Sequence, residues 1–334
     1  MALWKLRRPV ASTRPSGAAC YAASALSDHA ATILVTGANG QLGRRLIRRL
    51  AESGRRARAV VRSQRAADSL AALREALGFE ICIVDYADAD RITEAARGCA
   101  AAVHLVGILK ETRSNRYADA HERPCEALVS ASRAAGLARI VSLSILGSRA
   151  DSSNACLASK GRAEEILLSG PVPALVIRVP MVLGAGDPAS AALRRQASSG
   201  RTSLVRGGET REQPIAADDV VAAILGGLDA AEPMNEALDL AGPESLSHRS
   251  LVVRAAAVLG TEVTIGRLPL LAAQAFAGLA ERFVADPPLT RAMLGVLEHD
   301  DDIDPHPAAA KLGISLTPLD EALRRCFGDG DTEA

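Results

Sequence analysis

The chain has 334 residues, with 39 basic and 39 acidic side chains, 48% hydrophobic residues and 2% aromatic residues. It is too apolar for a disordered chain, and it is long enough for one large domain or two ordinary ones. The zero net charge argues against a nucleic-acid-binding protein, which needs excess lysine and arginine to neutralise phosphates. Only four basic residues are lysines, namely Lys5, Lys110, Lys160 and Lys311. A lysine at a motif position is therefore informative in this chain.

The cysteines and the N-terminus bear on the compartment. The six cysteines form no Cys-x-x-Cys pair and no Cys/His cluster, so we expect neither a metal site nor a disulfide framework. No apolar run reaches the ~18–20 residues of a transmembrane helix. Residues 1–30 are basic and rich in alanine and serine, with no acid before Asp28. That composition is typical of a transit peptide or a disordered extension. We favour the extension and a cytoplasmic protein, with the mitochondrial matrix as the alternative.

From residue 32, short β-branched runs alternate with longer helical stretches. The pattern predicts strands at 32–37, 56–62, 80–85, 101–108, 139–145 and 174–184, with helices at 41–54, 65–77, 89–98, 119–136 and 155–168. Because the strands are apolar throughout, helices should cover both faces of their sheet. The sequence therefore predicts an α/β fold with a doubly wound parallel sheet of the Rossmann type and a small C-terminal substrate-binding lobe.

Beyond residue 184 the alternation loosens. The sequence predicts a helix from Asp219, a strand at 237–242, a helix at 247–259 and an apolar stretch at 268–280. We expect Asp219 to cap its helix, and we expect the apolar stretch to be buried, with a face for a membrane or partner as the alternative. The predicted units are an extension at 1–30, a nucleotide-binding domain at 31–185, a substrate-binding lobe at 186–326 interleaved with the sheet, and a tail at 327–334.

A glycine-rich turn joins the first predicted strand to the first helix. Gly37, Gly40 and Gly43 have the spacing G-x-x-G-x-x-G. The first glycine permits a tight turn, the second lets backbone N–H groups approach a pyrophosphate, and the third allows close packing of helix on strand. The N-terminus of the helix adds its dipole and free donors. We therefore expect a dinucleotide to be bound by Gly37, Asn39, Gly40, Gln41, Leu42 and Gly43.

The ends of the second and third strands bear on which dinucleotide binds. An acid usually stands at the end of the second strand in NAD-binding proteins, where it binds the ribose 2'-hydroxyl, but here Arg62 occupies that place. Its planar guanidinium suits a 2'-phosphate, and Arg65 adds charge. We expect Asp85, after the third strand, to accept a hydrogen bond from the adenine amino group. The sequence favours NADP(H), with NAD(H) as the alternative.

Further segments carry a family resemblance. They are TGANGQLG at 36–43, VHLVGIL at 103–109, VSLSILGS at 141–148, IRVPMVLGAGD at 177–187 and QPIAADDVV at 213–221. In this order they resemble the extended and atypical short-chain dehydrogenases/reductases, the superfamily that includes nucleotide-sugar epimerases. Within it the chain is similar to nucleotide-binding proteins related to the 39-kDa accessory subunit of respiratory complex I. The resemblance covers residues 32–325.

The resemblance implies a catalytic serine and a Tyr-x-x-x-Lys pair. In that pair the lysine binds the nicotinamide ribose and lowers the pKa of the tyrosine, which passes a proton. Ser144 and Lys160 match the serine and the lysine, but Cys156 stands at the tyrosine position. A thiol has a suitable ordinary pKa of about 8.5 but lacks the reach of a phenol. Cys156 is then a packing residue, a reactive thiol or a donor to a deep substrate, and Tyr117 and His121 are candidate replacements.

Two functions are consistent with these residues. In the first, the missing tyrosine leaves an accessory or weakly catalytic NADP(H)-binding protein linked to respiratory or quinone metabolism. In the second, another donor makes it an active NAD(P)-dependent oxidoreductase or epimerase on a nucleotide-sugar, quinone or isoprenoid-like substrate. By the same resemblance Pro180 lies beside the nicotinamide carboxamide. The expected partners are the cofactor and a small molecule, with peripheral contact to a membrane or respiratory complex left open.

Overall fold

The computed structural model describes residues 31–112, 115–284 and 289–328. Its strands are β1 (Thr32–Thr36), β2 (Arg56–Val61), β3 (Glu80–Ile83), β4 (Ala101–His104), β5 (Ile140–Ile145), β6 (Ala174–Val179), β7 (Val182–Leu183), β8 (Arg201–Val205), β9 (Arg211–Glu212), β10 (Ile215–Ala216), β11 (Glu236–Asp239), β12 (Leu246–Ser247) and β13 (Thr264–Leu268). Seven of them form one parallel sheet in the order β11-β6-β5-β4-β1-β2-β3. This order contains the 3-2-1-4-5-6 arrangement of dinucleotide-binding sheets, so the predicted doubly wound α/β fold is confirmed.

Helices connect these strands and cover both faces of the sheet. They are α1 (Gln41–Glu52), α2 (Gln64–Asp68), α3 (Ala71–Leu77), α4 (Ala89–Ala96), α5 (Arg123–Ala135), α6 (Ala155–Leu168), α7 (Pro188–Ser198), α8 (Ala217–Asp229), α9 (His248–Val258), α10 (Leu270–Phe283), α11 (Arg291–Leu297), α12 (His306–Leu312) and α13 (Leu319–Phe327). A π-helical turn at Ala118–Glu122 precedes α5. The predicted extension at 1–30 and most of the predicted tail lie outside the described residues.

Alternate residues of β1 enter two separate hydrophobic cores. Ile33 and Val35 belong to the core that includes α1 and α8, whereas Leu34 belongs to the core that includes α4 and α5. All three are fully buried. Because successive side chains of a strand point to opposite faces, the continuous apolar sequence of β1 suits a sheet covered on both sides.

Strand β4 ends at His104, short of the predicted end at 108. Its neighbour β1 ends at Thr36, because Gly37 turns the chain away with φ +72°. The last bond between the two strands runs from the Leu105 N–H to the Thr36 carbonyl, 3.2 Å. Residues 105–109 therefore leave the sheet beside the glycine-rich turn.

The strand predicted at 174–184 is interrupted at Pro180. Proline has no N–H and cannot continue the ladder of hydrogen bonds between strands. The Leu146 N–H donates to the Val179 carbonyl, 3.0 Å, just before the interruption. After it, β7 pairs with β10 instead. The chain after β7 bends over the start of α1, where a Cβ on Gly186 would lie 2.9 Å from Gln41 Nε2. The helix predicted at 65–77 is also divided, since Ser69 Oγ donates to the Ala66 carbonyl, 2.7 Å, and competes with the helical pattern.

The residues after β7 form a smaller lobe with its own hydrophobic core. β8 pairs with β13 in parallel and β9 pairs with β12 antiparallel. Leu193, Leu251 and Leu323, from three different helices, are buried in this core. The lobe is interleaved with the main sheet, since α8 packs on β5 and β6 and β11 extends the sheet.

Helix α10 contradicts the expected burial of residues 268–280. Its buried residues are the small ones, Ala273, Ala277 and Ala280. Its large side chains, Leu271, Phe276, Leu279 and Phe283, are between 58% and 79% exposed, and these four residues are called the apolar face of α10. The prediction was wrong because a segment that is apolar on every side does not indicate which face packs inward. Within the described residues no helix is long and apolar enough to cross a membrane.

Candidate functional site

The glycine-rich turn has the geometry of an anion cradle. Gly37 has a left-handed φ of +72°, and a Cβ there would lie 3.0 Å from the carbonyl carbon of Leu105. A Cβ on Gly43 would lie 2.6 Å from the Ala38 carbonyl oxygen, so glycine is required for α1 to pack against the turn. A Cβ on Gly40 would meet only the Gly37 carbonyl oxygen, at 3.3 Å. The turn is therefore tight beneath and open above, which fits a pyrophosphate.

The remaining residues of the turn differ in exposure. Asn39 and Gln41 are exposed, and Leu42 is half-buried against the main core. Gly40 provides no side-chain cap for α1, so the first N–H groups of that helix are available to a bound anion.

Tyr86 supports the turn, although sequence reasoning missed it. Its hydroxyl accepts from the Gly37 N–H, 3.1 Å, and donates to the Val60 carbonyl, 3.2 Å. Burial raises the pKa of Tyr86, so the hydroxyl stays protonated. Arg62 Cζ lies 5.9 Å from the centroid of the Tyr86 ring, within the range of a cation–π contact. The available signal was a scarce tyrosine directly after Asp85.

The predicted adenine and ribose ligands lie near this tyrosine. Arg62 follows β2 directly and is exposed. Asp85 is also exposed and lies two residues beyond the end of β3, where its Oδ1 accepts from the Ala87 N–H, 3.1 Å. Asp88 caps α4 by accepting from the Arg91 N–H, 3.0 Å, and so has a structural role.

Lys160 lies in α6 with its amine held under the segment that follows β4. Nζ donates to the carbonyls of Val106, 3.4 Å, and Leu143, 3.3 Å. A Cβ on Gly107 would lie 2.8 Å from this nitrogen, so a side chain at this position would displace the amine. Burial lowers the pKa of Lys160, and the negative charge of Glu164 is among the influences that oppose it.

Ser144 lies near the end of β5. This strand pairs with β4, and the segment after β4 covers Lys160. Its hydroxyl is buried and donates to Ser148 Oγ, 3.3 Å. Ser144, His121 and Lys160 line one small cavity. The fold therefore brings together the predicted serine and lysine with one of the candidate replacement donors. Pro180, half-buried, directly follows β6.

Cys156 occupies the first turn of α6 and has 0% exposure. Its thiol donates to the Ile108 carbonyl, 3.7 Å, and Asn154 caps the helix by accepting from the Cys156 N–H, 2.9 Å. Burial raises the pKa of Cys156 to about 11, although Lys160 and Tyr117 act in the opposite direction. The group is therefore a protonated thiol at neutral pH, which does not suit a reactive nucleophile.

The Tyr117 hydroxyl donates to the Leu109 carbonyl, 2.9 Å, and so lies next to the Ile108 carbonyl that the Cys156 thiol contacts. The two side chains are close enough for each to influence the pKa of the other. The pKa of Tyr117 is raised, first by burial and then by the charges of Cys156 and Glu111. A phenol therefore lies near the thiol at the position where the resemblance implies a tyrosine.

His121 reaches the site because the π-helical turn precedes α5. Its ring stacks on Tyr117, with centroids 5.5 Å apart and an interplanar angle of 26°. Nε2 lies 3.1 Å from both the nitrogen and the carbonyl oxygen of Ile108. Burial and then the charge of Lys160 lower the pKa of His121 to about 3, so the ring is neutral. π-Helical turns are frequent at functional sites.

Asp219 is not the N-cap that the sequence predicts. Helix α8 begins at Ala217, and the Asp219 carboxylate accepts from the N–H and the hydroxyl of Thr317, both at 2.7 Å. Its role is to hold α8 against the segment before α13. Across the described ranges, no group of three or more His, Cys, Asp or Glu side chains could hold a metal ion.

The model of the NAD(P)H-binding family matches residues 37–231. This match exceeds half of the chain and includes the glycine-rich turn, Ser144 and Lys160. The chain belongs to the NAD(P)H-binding family. Nucleotide binding predicted from the turn is thereby supported at the level of NAD(P)(H).

Two curated relatives are similar to this chain in sequence. Ceramide reductase of Caulobacter vibrioides is 28% identical over 199 residues, which are 60% of this chain and 61% of the relative. NADH dehydrogenase [ubiquinone] 1 alpha subcomplex subunit 9, mitochondrial, of Arabidopsis thaliana is 29% identical over 235 residues, 68% of this chain and 57% of the relative. The chain spans about three fifths of the length of these relatives. The second likeness confirms the predicted resemblance to a subunit of respiratory complex I.

Solved structures of similar fold include nucleotide-sugar epimerases. UDP-glucuronic acid 4-epimerase from Bacillus cereus, in complex with UDP-glucuronic acid and NAD, superposes with a TM-score of 0.68 at 17% identity, over 88% of this chain and 97% of that one. A nucleoside-diphosphate-sugar epimerase from Pseudomonas aeruginosa gives a TM-score of 0.68 at 20% identity, over 89% and 96%. These likenesses establish the shared fold.

Proposed function

We propose that this protein is an NAD(P)(H)-dependent oxidoreductase that reduces a carbonyl group on an apolar, lipid-like substrate, with Tyr117 as the proton-carrying residue. The observation that carries the proposal is that the Tyr117 hydroxyl and the Cys156 thiol donate to the adjacent carbonyls of Leu109 and Ile108. Cys156 lies four residues before Lys160. When bound, the reduced cofactor supplies the hydride.

The side chains divide the remaining work. The N–H groups of the glycine-rich turn hold the pyrophosphate, and Arg62 holds a 2'-phosphate, which favours NADP(H). Lys160 supplies a positive charge on the nicotinamide side of the site. Ser144 donates a hydrogen bond to the substrate carbonyl. The phenol of Tyr117 stays protonated because its pKa is raised, so it can transfer a proton to the oxygen as negative charge develops there.

The apolar face of α10 supports the choice of substrate class. Glu281, in the same helix, is close enough to Tyr117 to contribute to its raised pKa, after the larger effects of burial, Cys156 and Glu111. Neighbouring α11 is joined to the start of α6, where Asn154 Nδ2 donates to the Ala292 carbonyl, 2.8 Å. Leaving a large apolar side chain exposed forgoes about 1.5–3 kcal/mol of burial. An acyl chain would cover this face, and the Caulobacter relative is named for reduction of a ceramide, which is a lipid.

A second function has its own supporting observation. Cys156 is a buried thiol with a pKa of about 11, and the amine of Lys160 is occupied by two carbonyl groups. A site closed in this way suits a protein that binds NAD(P)(H) without efficient turnover. The Arabidopsis relative is named as a subunit of NADH dehydrogenase. A protein that binds the nucleotide without turnover would have an accessory role in such a complex.

One experiment separates the two functions. NADPH and NADH are titrated by fluorescence, and cofactor absorbance is then followed with a long-chain ketone, its short-chain analogue, a quinone and a nucleotide-sugar. Oxidation of the cofactor by the long-chain ketone above the rate with its short-chain analogue is the expected result. Tight binding without turnover would favour the accessory role, and failure to bind either nucleotide would refute both.

A further inference from the structure

A small cavity beneath Lys160 is lined by buried polar groups that lack partners. His104, His121 and Glu164 all line this cavity together with Lys160. His104 Nε2, His121 Nδ1 and Glu164 Oε1 are fully buried and have no hydrogen-bond partner. Each of the three residues is at most 4% exposed. Unpaired buried polar atoms are costly, at about 1–3 kcal/mol each, so three at one cavity indicate a bound polar ligand.

The other atoms of these side chains are already engaged. His104 Nδ1 lies 2.8 Å from Thr36 Oγ1. Arg178 Nε and Nη2 both donate to Glu164 Oε2, at 2.8 Å and 2.5 Å, so these bonds do not engage Glu164 Oε1. Lys160 Nζ donates two of its three hydrogens to the carbonyls noted above. The cavity thus offers one ammonium hydrogen, one carboxylate oxygen and two ring nitrogens.

The tautomers of the two rings make this set complementary to water. If His121 Nε2 accepts from the Ile108 N–H, the neutral ring carries its proton on Nδ1 and donates into the cavity. If His104 Nδ1 donates to Thr36 Oγ1, its Nε2 accepts from the cavity. The cavity then provides two donors, from Lys160 and His121, and two acceptors, on His104 and Glu164. A water molecule has two acceptor and two donor positions.

The size of the cavity decides how many molecules fit. It leaves about 10 Å³ for the centre of a water molecule, and one water needs about 10–15 Å³ by this measure. The space therefore suits one water. The cavity lies between α6 and the ends of β4 and β5, away from the exposed glycine-rich turn.

We propose that the cavity holds one buried water molecule bound by Lys160, His104, His121 and Glu164, and that the last three are positioning residues for Lys160. The water accepts the third ammonium hydrogen and connects Lys160 to the Glu164 carboxylate. This linkage keeps the amine charged and directed, despite its burial. The water site stands on its own geometry, whereas the benefit of a charged amine to cofactor binding rests on the proposed function.

A high-resolution crystal structure of the full chain tests the site directly. We expect one peak of electron density in the cavity, within hydrogen-bonding distance of Nζ, His104 Nε2, His121 Nδ1 and Glu164 Oε1. An empty cavity, or side chains that pair directly with one another, would overturn the proposal.

The scarcity of lysine allows a second test in solution. Protein labelled with ¹³C and ¹⁵N in lysine gives signals from only four side chains, so the titration of Lys160 can be followed by NMR. Ala163 lines the cavity, and Ala163→Val should fill the space and expel the water. His104→Leu should remove an acceptor without adding bulk to the helix. We expect each variant to shift the ratio of charged to neutral amine about tenfold towards the neutral form.

A matched control removes a histidine from a different place. His248 lies in α9 and does not line the cavity. His248→Leu should leave the titration of Lys160 unchanged, and it controls for a general loss of stability when a histidine is replaced. Unaltered titration in both cavity variants would contradict the proposal. Because these measurements need neither cofactor nor substrate, a protein that binds the water but never oxidises NAD(P)H would refute only the proposed function.

Discussion

The Tyr117 hydroxyl and the Cys156 thiol donate to the adjacent carbonyls of Leu109 and Ile108, although they belong to different structural elements. Cys156 lies in the first turn of α6, and Tyr117 precedes the π-helical turn before α5. This arrangement gives the site a phenol that the motif at 156–160 lacks.

Replacing Tyr117 by phenylalanine removes the proposed proton carrier and little else. General acid catalysis contributes about 10²- to 10⁴-fold, so we expect Tyr117→Phe to lower kcat by at least about 10²-fold with unchanged NADPH affinity. Absorbance assays and fluorescence titration measure the two quantities. Cys156→Ala is the comparison and should retain most activity; if Cys156→Ala is the more damaging variant, the thiol is the donor instead.

Restoring the family motif at position 156 should harm this protein. Cys156 is fully buried, and a tyrosine there would collide with the Ile108 segment and with Tyr117. Overpacking of this kind typically costs about 1–3 kcal/mol. We expect Cys156→Tyr to lower the free energy of unfolding in urea by that amount without raising turnover. The double variant Cys156→Tyr/Tyr117→Ala frees space and should recover part of the stability; no recovery would mean that the Ile108 segment alone causes the clash.

Two glycines of the turn should respond differently to alanine. Gly43→Ala places a Cβ 2.6 Å from a backbone oxygen, so we expect it to destabilise the fold and abolish nucleotide binding. Gly40 has φ −70°, which alanine adopts freely, and its Cβ would fill only the open cradle. Gly40→Ala should therefore keep the thermal midpoint within a few degrees while weakening NADPH binding at least about tenfold. Equal stability loss in both variants would argue against this division.

Arg62 should decide between the two dinucleotides. Charge-assisted hydrogen bonds contribute about 1.5–3 kcal/mol, so Arg62→Ala should weaken NADPH binding about ten- to hundredfold and leave NADH binding within about twofold. Calorimetry with both cofactors measures the ratio. Arg74→Ala, an exposed arginine on α3, is the control. A parallel loss for NADH would assign Arg62 to the Tyr86 contact rather than to a 2'-phosphate.

The buried histidines should make stability depend on pH. Burial is the main cause that lowers the pKa values of His104 and His121 to about 3, whereas an unfolded histidine has a pKa of about 6.5. Between these values the unfolded chain binds more protons, so stability falls as pH drops below about 6.5, by about 1.4 kcal/mol per pH unit for each histidine. Urea unfolding at pH 7 and pH 5 measures the slope. His104→Leu should reduce the slope by one histidine's share, and an unchanged slope would contradict the prediction.

Local sequence determined the parts of this protein that depend on neighbouring residues. The glycine spacing fixed the turn, because Gly37 and Gly43 occupy places where a Cβ meets backbone atoms. The apolar strands and their alternation with helices fixed the doubly wound sheet. The positions of Ser144 and Lys160 also followed, since both lie on elements whose order the sheet dictates.

Tertiary structure alone decided the contacts between distant segments. The early end of β4 places residues 105–109 over Lys160, and the π-helical turn places His121 beside them; neither follows from hydrophobic periodicity. The outward face of α10 was equally hidden, because the apolar pattern of residues 268–280 does not indicate which face packs inward. Tyr117 and Cys156 are far apart in sequence, so only the folded arrangement of α6 and the segment before α5 could bring them to the adjacent carbonyls of Leu109 and Ile108.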